Sequence, residues 1–190
     1  FLTIRLDTLF HQLVKPAKSR LIQTVAENRQ PYFVEWVGSF GPYIKNIPIM
    51  FWMFFVSSIV FFKKIFKDIR GKDSWKLTGF YVLFLCGLIF SRYSSSSMFN
   101  GENFVSKAFY YIAAVLLIFF VVKTYLSYKK EGHGGFEKIA YSSLLLIILF
   151  VLTVFSARSA VRLIMVLGPI GSIFIGFLVV EMETRICLLR

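Results

Sequence analysis

The sequence predicts an all-α, polytopic membrane protein with about five transmembrane helices and a long external loop at its N-terminal end. Three observations lead there. The 190-residue chain is 57% hydrophobic with a mean hydropathy of +0.69, above what a soluble domain carries. Its 23 Phe fall largely in long runs almost free of charge, and only helices or closed barrels satisfy their own backbone in lipid. The period-two alternation of barrel strands is absent, which leaves helices.

Five apolar runs define the predicted spans: about 47–62, 77–91, 104–122, 139–157 and 163–180. Each approaches the roughly 20 residues needed to cross about 30 Å of hydrocarbon. The second is the shortest, with Trp75 and Tyr93 placed to anchor its two ends in the interfaces. Residues 1–46 form the external loop, and 47–190 form the transmembrane region. Neither end of the chain coincides with a start methionine or a signal peptide, so the expectation is an internal piece of a longer membrane protein.

Charge sets the orientation. Segments 63–76, 123–138 and 181–190 carry 6, 4 and 2 Lys/Arg, whereas 92–103 and 158–162 carry one and two. Basic residues favour the cytoplasmic side, so residues 1–46, the 92–103 loop and the 158–162 turn fall outside the cytoplasm. The same rule absorbs the net charge of +12, and no nucleic-acid partner is called for. Membrane lipid is the expected surrounding. Cys86 and Cys187 are too distant in sequence to indicate a metal pair or a disulfide framework, and His11 and His133 stand alone. The "EGHGG" segment at 131–135 has no strand before it and reads as a flexible cytoplasmic tip. In the last span, Gly168, Ser172 and Gly176 recur every four residues, a surface for close packing of a neighbouring helix, and Pro169 removes one backbone hydrogen bond there. Lys107 is the only charge near a span interior, close enough to the helix start to snorkel.

Two external constellations are candidates for chemistry. Arg158 and Arg162 in "SARSAVRLIMVLGP" break a nearly continuous apolar stretch, and their i,i+4 spacing puts both guanidiniums on one side of a helical turn. At the membrane lip such a pair suits a phosphate or diphosphate, which guanidinium binds in a forked geometry. It equally suits arginines that mark the interface and snorkel to head groups. The second is "TVAENRQP", bracketed by Pro16 and Pro31, with Leu21, Ile22 and Val25 consistent with a short surface helix. Glu27 near its end has two readings: a solvated carboxylate, or one that accepts hydrogen bonds from a substrate amide or helps hold a divalent metal. Glu35, beside Trp36, is a competing carboxylate at the interface.

The pair "TVAENRQP" and "ARSAVRLIMVLGP" resembles the catalytic subunit of oligosaccharyltransferase, of the archaeal (AglB/PglB-like) type. Thr24, Val25, Ala26 and Glu27 match the family's Thr/Ser-x-x-Glu motif, and Gln30-Pro31 extends the match. Arg162 matches the family arginine, and Arg158 a second arginine found in some members. The resemblance implies protein N-glycosylation: transfer of an oligosaccharide from a polyprenyl or dolichyl (di)phosphate carrier to Asn in N-x-S/T of an acceptor polypeptide. It implies that Glu27 engages the acceptor amide at a Mn²⁺ or Mg²⁺ site whose other ligands lie outside this chain. It also implies that Arg162, with Arg158, holds the phosphate of the lipid-linked donor. A piece of this size would be inactive alone, in a plasma membrane if archaeal, with residues 1–46 extracytoplasmic. The resemblance covers both ends of the chain and hardly the hairpin of the second and third spans. A different class, a transporter or flippase for a lipid-linked or anionic substrate, also accounts for the arginines but leaves Glu27 without a role and calls for charged or broken helices near the midplane.

Overall fold

The computed structural model describes residues 29–41, 43–67, 69, 71–131 and 139–188. Among the described residues the regular elements are all helical, without a β-strand: α1 (Phe33–Ser39), α2 (Ile49–Ile65), α3 (Gly71–Phe90), α4 (Phe104–Glu131), α5 (Tyr141–Ser159), a 3₁₀ turn (Val161–Leu163) and α6 (Ile164–Leu188). Four of these helices are long and apolar enough to cross a membrane: α3, α4, α5, and the 3₁₀ turn with α6. That is the make-up of a multi-pass membrane protein. α2 coincides with the first predicted span but has 17 residues, about 26 Å at 1.5 Å per residue.

The helices outrun the apolar stretches that announce them. α3 begins six residues before its run, taking in Lys72, Asp73 and Lys76, and α4 continues nine residues beyond its own, to Glu131. Hydrophobicity ends where lipid ends, but backbone hydrogen bonding does not. Lys129 and Lys130 in the last turn of α4 also suit its negative dipole end. Pro48 opens α2, after a tight turn in which Lys45 and Asn46 both have positive φ and Ile44 and Ile47 exchange 3.0 Å backbone bonds.

Aromatic side chains form the core. Phe54, Phe150 and Phe174 are fully buried where α2, α5 and α6 meet, with ring centroids 5.7 Å (Phe54–Phe150) and 4.7 Å (Phe150–Phe174) apart. Ser57 on α2 donates a hydrogen bond to the Phe174 carbonyl on α6. α2 meets α3 through the stacked rings of Phe62 and Tyr81, 4.0 Å apart, and α3 meets α4 through Phe80 and Phe120, 3.8 Å apart. α4 packs on α3 and leaves Tyr111, Ile112, Val115, Ile118, Phe119 and Val122 exposed. An apolar band of this kind suits contact with lipid.

The small-residue stripe of the last span turns out otherwise than the spacing predicts. A methyl group added at Gly168 or Gly176 would meet nothing within 4 Å, and Ser172 is exposed with its hydroxyl on the Pro169 carbonyl. The close approach is made instead by Gly171, where a Cβ would meet Phe40 at 3.1 Å and Phe54 at 3.3 Å. The large buried residues Leu167, Ile170 and Phe174 decide which side of α6 faces the bundle, and Gly171 lies among them.

The connections alternate between the two ends. At one end Lys64 pairs with Glu181 and Lys63 lies 3.6 Å above the Trp75 ring, joining the segments expected on the cytoplasmic side. At the other end gather residues 29–40, the α3–α4 loop and the α5–α6 turn with Arg158 and Arg162.

Candidate functional site

The α3–α4 loop forms one wall of the site. Arg92 bridges to Asn100, and the Tyr93 N–H donates to the Phe99 carbonyl at 2.7 Å, closing a small loop over the serine run. Gly101, at φ +84°, turns the chain back, and a side chain there would strike Arg92 at 3.0 Å. Asn100 Oδ1 then accepts the N–H groups of Glu102 and Asn103, both at 2.9 Å, ahead of α4. Buried Ser106 in the first turn of α4 donates to the Ser91 carbonyl and accepts the Gly101 N–H at 3.0 Å. Ser91 and Arg92 are thus held by the helix that follows them.

The opposite wall is the end of α5. Half-buried Arg158 donates from Nη2 to Ser91 Oγ at 3.1 Å, and its Cζ lies 5.7 Å from the Tyr110 ring centroid. Its Nε and Nη1 are shielded from solvent without a hydrogen-bond acceptor. Arg92 donates from Nη1 to Gln30 Oε1 at 2.8 Å and stands 4.6 Å over the Tyr32 ring, and its buried Nε also lacks an acceptor. The two guanidiniums are close enough to repel. Between α4 and α5 lies a cavity of about 270 Å³ whose lining includes Gln30, Ser106, Lys107, Tyr110, Tyr111 and Arg158, and no carboxylate among the described residues. Glu35 does not neutralise it. Its carboxylate accepts the Tyr32 N–H at 2.7 Å, capping α1, and pairs with Arg29. The competing carboxylate of the sequence is therefore a structural one.

Arg162 lies elsewhere than helical spacing predicts. α5 ends at Ser159, and Ala160 is extended (φ −151°, ψ 140°), so Arg162 starts afresh on the 3₁₀ turn with an exposed side chain. Arg158 and Arg162 do not share one helical face, because the extended residue between them breaks the i,i+4 register. What the turn does instead is receive the N-terminal segment, the Val161 N–H donating to the Arg29 carbonyl at 3.0 Å, while the α3–α4 loop holds the same segment through the Phe33 N–H on the Arg92 carbonyl, also at 3.0 Å. Arg29 is two residues after Glu27 in sequence. Thr24, Val25, Ala26 and Glu27 themselves, with the predicted surface helix around them, lie outside the described residues, as does the glycine-rich 132–138 segment.

Sequence reasoning assigned Arg92 and Lys107 no place in a site, and Gln30 only a place in the extended T-x-x-E match. Arg92 counted only as the single basic residue of a sparse external loop, and Lys107 only as a snorkelling charge. The signal available was that both lie on the side where basic residues are scarce. Among the described residues no group of three or more His, Cys, Asp or Glu is placed to hold a metal ion. No protein-family model, curated protein or solved structure matches this chain.

Proposed function

We propose that this chain is the membrane-embedded part of an oligosaccharyltransferase-type enzyme, moving a glycan from a polyprenyl or dolichyl (di)phosphate to Asn of an acceptor polypeptide. The observation that carries the reading is the bond from the Val161 N–H to the Arg29 carbonyl. It ties the segment just after the T-x-x-E motif to the turn bearing Arg162, across 132 positions of sequence. Two motifs that share one reaction belong at one end of the bundle, and this bond supports that. In this reading α2 is a fifth span, and the end holding the arginines faces away from the cytoplasm, in accord with the loop charges.

Transfer exchanges the bond from the sugar C1 to phosphate oxygen for a bond from C1 to the amide nitrogen, which gives up one of its two protons to solvent. Negative charge builds on the departing phosphate, where the Arg162 guanidinium stabilises it. The Glu27 carboxylate accepts hydrogen bonds from the acceptor amide and so orients its nitrogen. The described residues do not themselves assemble a divalent-cation site, so the chain's share in a Mn²⁺ or Mg²⁺ site rests on Glu27. A transporter reading gains nothing from the fold: the described charged residues sit toward helix ends, and α3 to α6 run unbroken through their apolar stretches.

The test is made in the full-length enzyme. Glu27→Ala should abolish transfer to an N-x-S/T peptide while the protein still inserts and accumulates. Arg162→Ala should lower turnover of the lipid-linked donor by about 10²–10³, the usual cost of removing one stabiliser of developing charge. Normal transfer by Glu27→Ala would remove that residue from the mechanism.

A further inference from the structure

The α3–α4 hairpin brings a second cationic group to the site, apart from Arg162. The geometry points to an oxyanion-binding pocket lined by Arg158 and Lys107, with Arg92 behind the lining residues Gln30 and Gly101, which takes a phosphate oxyanion. Four features argue for it. Arg158 keeps two buried N–H groups and Arg92 one without an acceptor among the described residues, and a buried donor left unpaired is costly, more so when charged. Arg92 and Arg158 attach to residues around the cavity, Arg92 to Gln30 and Arg158 to Ser91, and no carboxylate among the described residues lines the cavity between α4 and α5. The hydroxyls of Ser91 and Ser106 already have protein partners that hold the wall in place. The cavity, about 270 Å³, suits a head group rather than a whole lipid, since ligand pockets start at about 300 Å³.

An oxyanion here would accept from the unpaired Nε and Nη1 of Arg158, with the Lys107 amine, on the cavity wall, and Arg92 behind Gln30 supplying further charge. Neither Arg162 nor Arg92 is among the residues lining this cavity, but Arg92 donates to the lining residue Gln30. The pocket is therefore a second anionic subsite, and it stands whether or not the chain belongs to a glycosyltransferase. The same oxyanion chemistry is presented by free phosphate and by the phosphodiester of an anionic lipid, and the two arms of the test separate these sources.

The experiment uses the full chain purified in detergent and, in parallel, in nanodiscs. In detergent, inorganic phosphate is titrated by calorimetry against wild type, Arg92→Gln, Arg158→Gln, Lys107→Gln and Arg162→Gln. In nanodiscs, native mass spectrometry counts phosphatidylglycerol retained from a phosphatidylglycerol–phosphatidylcholine mixture. The expected result is saturable binding in at least one arm, weakened tenfold or more by Arg158→Gln, several-fold by Arg92→Gln and Lys107→Gln, and unchanged by Arg162→Gln. Binding in the first arm alone identifies a soluble phosphate, and retention in the second alone a lipid head group. Lys107 is exposed, so its variant reads the pocket even where Arg158→Gln fails to fold. Absence of binding in both arms, or binding indifferent to Arg92 and Lys107, overturns the proposal. Loss of binding with Arg162→Gln alone would assign the anion to the turn and overturn it too.

Discussion

Gly87 sets how closely α3 and α4 approach, and Gly87→Ala tests that approach directly. A methyl group on its Cα would lie 2.8 Å from the Ala113 Cβ and 3.4 Å from the Phe109 carbonyl oxygen. Non-bonded carbons rest at about 3.5–4.0 Å, so the helices must separate by roughly 1 Å. Both methyls are fixed to backbone, and no rotamer change relieves the contact. Overpacking of this kind costs about 1–3 kcal/mol, offset by about 1 kcal/mol from replacing glycine within a helix. The expected net loss is about 1 kcal/mol. In an Ala113→Gly background the collision is gone, and the same substitution should stabilise by about 1 kcal/mol. Unfolding of the full chain in detergent micelles, followed for wild type, both single variants and the double variant, measures all four corners of the cycle. The reversal of sign is the diagnostic result. Gly87 lies one turn before Ser91, so separating the helices should also weaken phosphate binding, and the double variant should recover it. Equal stabilisation by Gly87→Ala in both backgrounds would refute the close approach and, with it, the account of what holds Ser91 and Arg92 in place.

Two further outcomes follow from the same geometry. Glu35→Ala removes the acceptor of the Tyr32 N–H and the partner of Arg29. It should cost about 1 kcal/mol, as loss of a helix cap does, and speed hydrogen exchange at the Val161 amide that Arg29 covers. Protection of that amide unchanged in the variant would disconnect the α1 cap from the turn. Ser57→Ala deletes the hydrogen bond to the Phe174 carbonyl and should lower stability in a bilayer mimetic by about 0.6 kcal/mol, the average for an interhelical bond between membrane helices. A loss above about 2 kcal/mol, beyond the largest such bonds, would mean that Ser57 contributes to packing as well.

The sequence by itself determined the helical class, the order of the helices and which loops share an end, because lipid makes strong demands. Every spanning residue must be apolar on average and hydrogen-bonded within its own segment, and charges must collect outside. Such rules act on each stretch separately, so a linear reading captures them. They do not say which side of a helix meets its neighbours. In lipid, outward and inward residues are both apolar, so no amphipathic stripe marks the core. That is why Gly168, Ser172 and Gly176 read as a packing face although Gly171 fills that role. Nor do they locate a break of register: one extended residue, Ala160, separates Arg158 from Arg162. The approach of Arg92 from the α3–α4 loop and Arg158 from the end of α5 to one cavity, through Gln30 and Ser91, depends on helix contacts far apart in sequence. Only the tertiary structure decided that, because two like charges 66 positions apart leave no local signature of being neighbours.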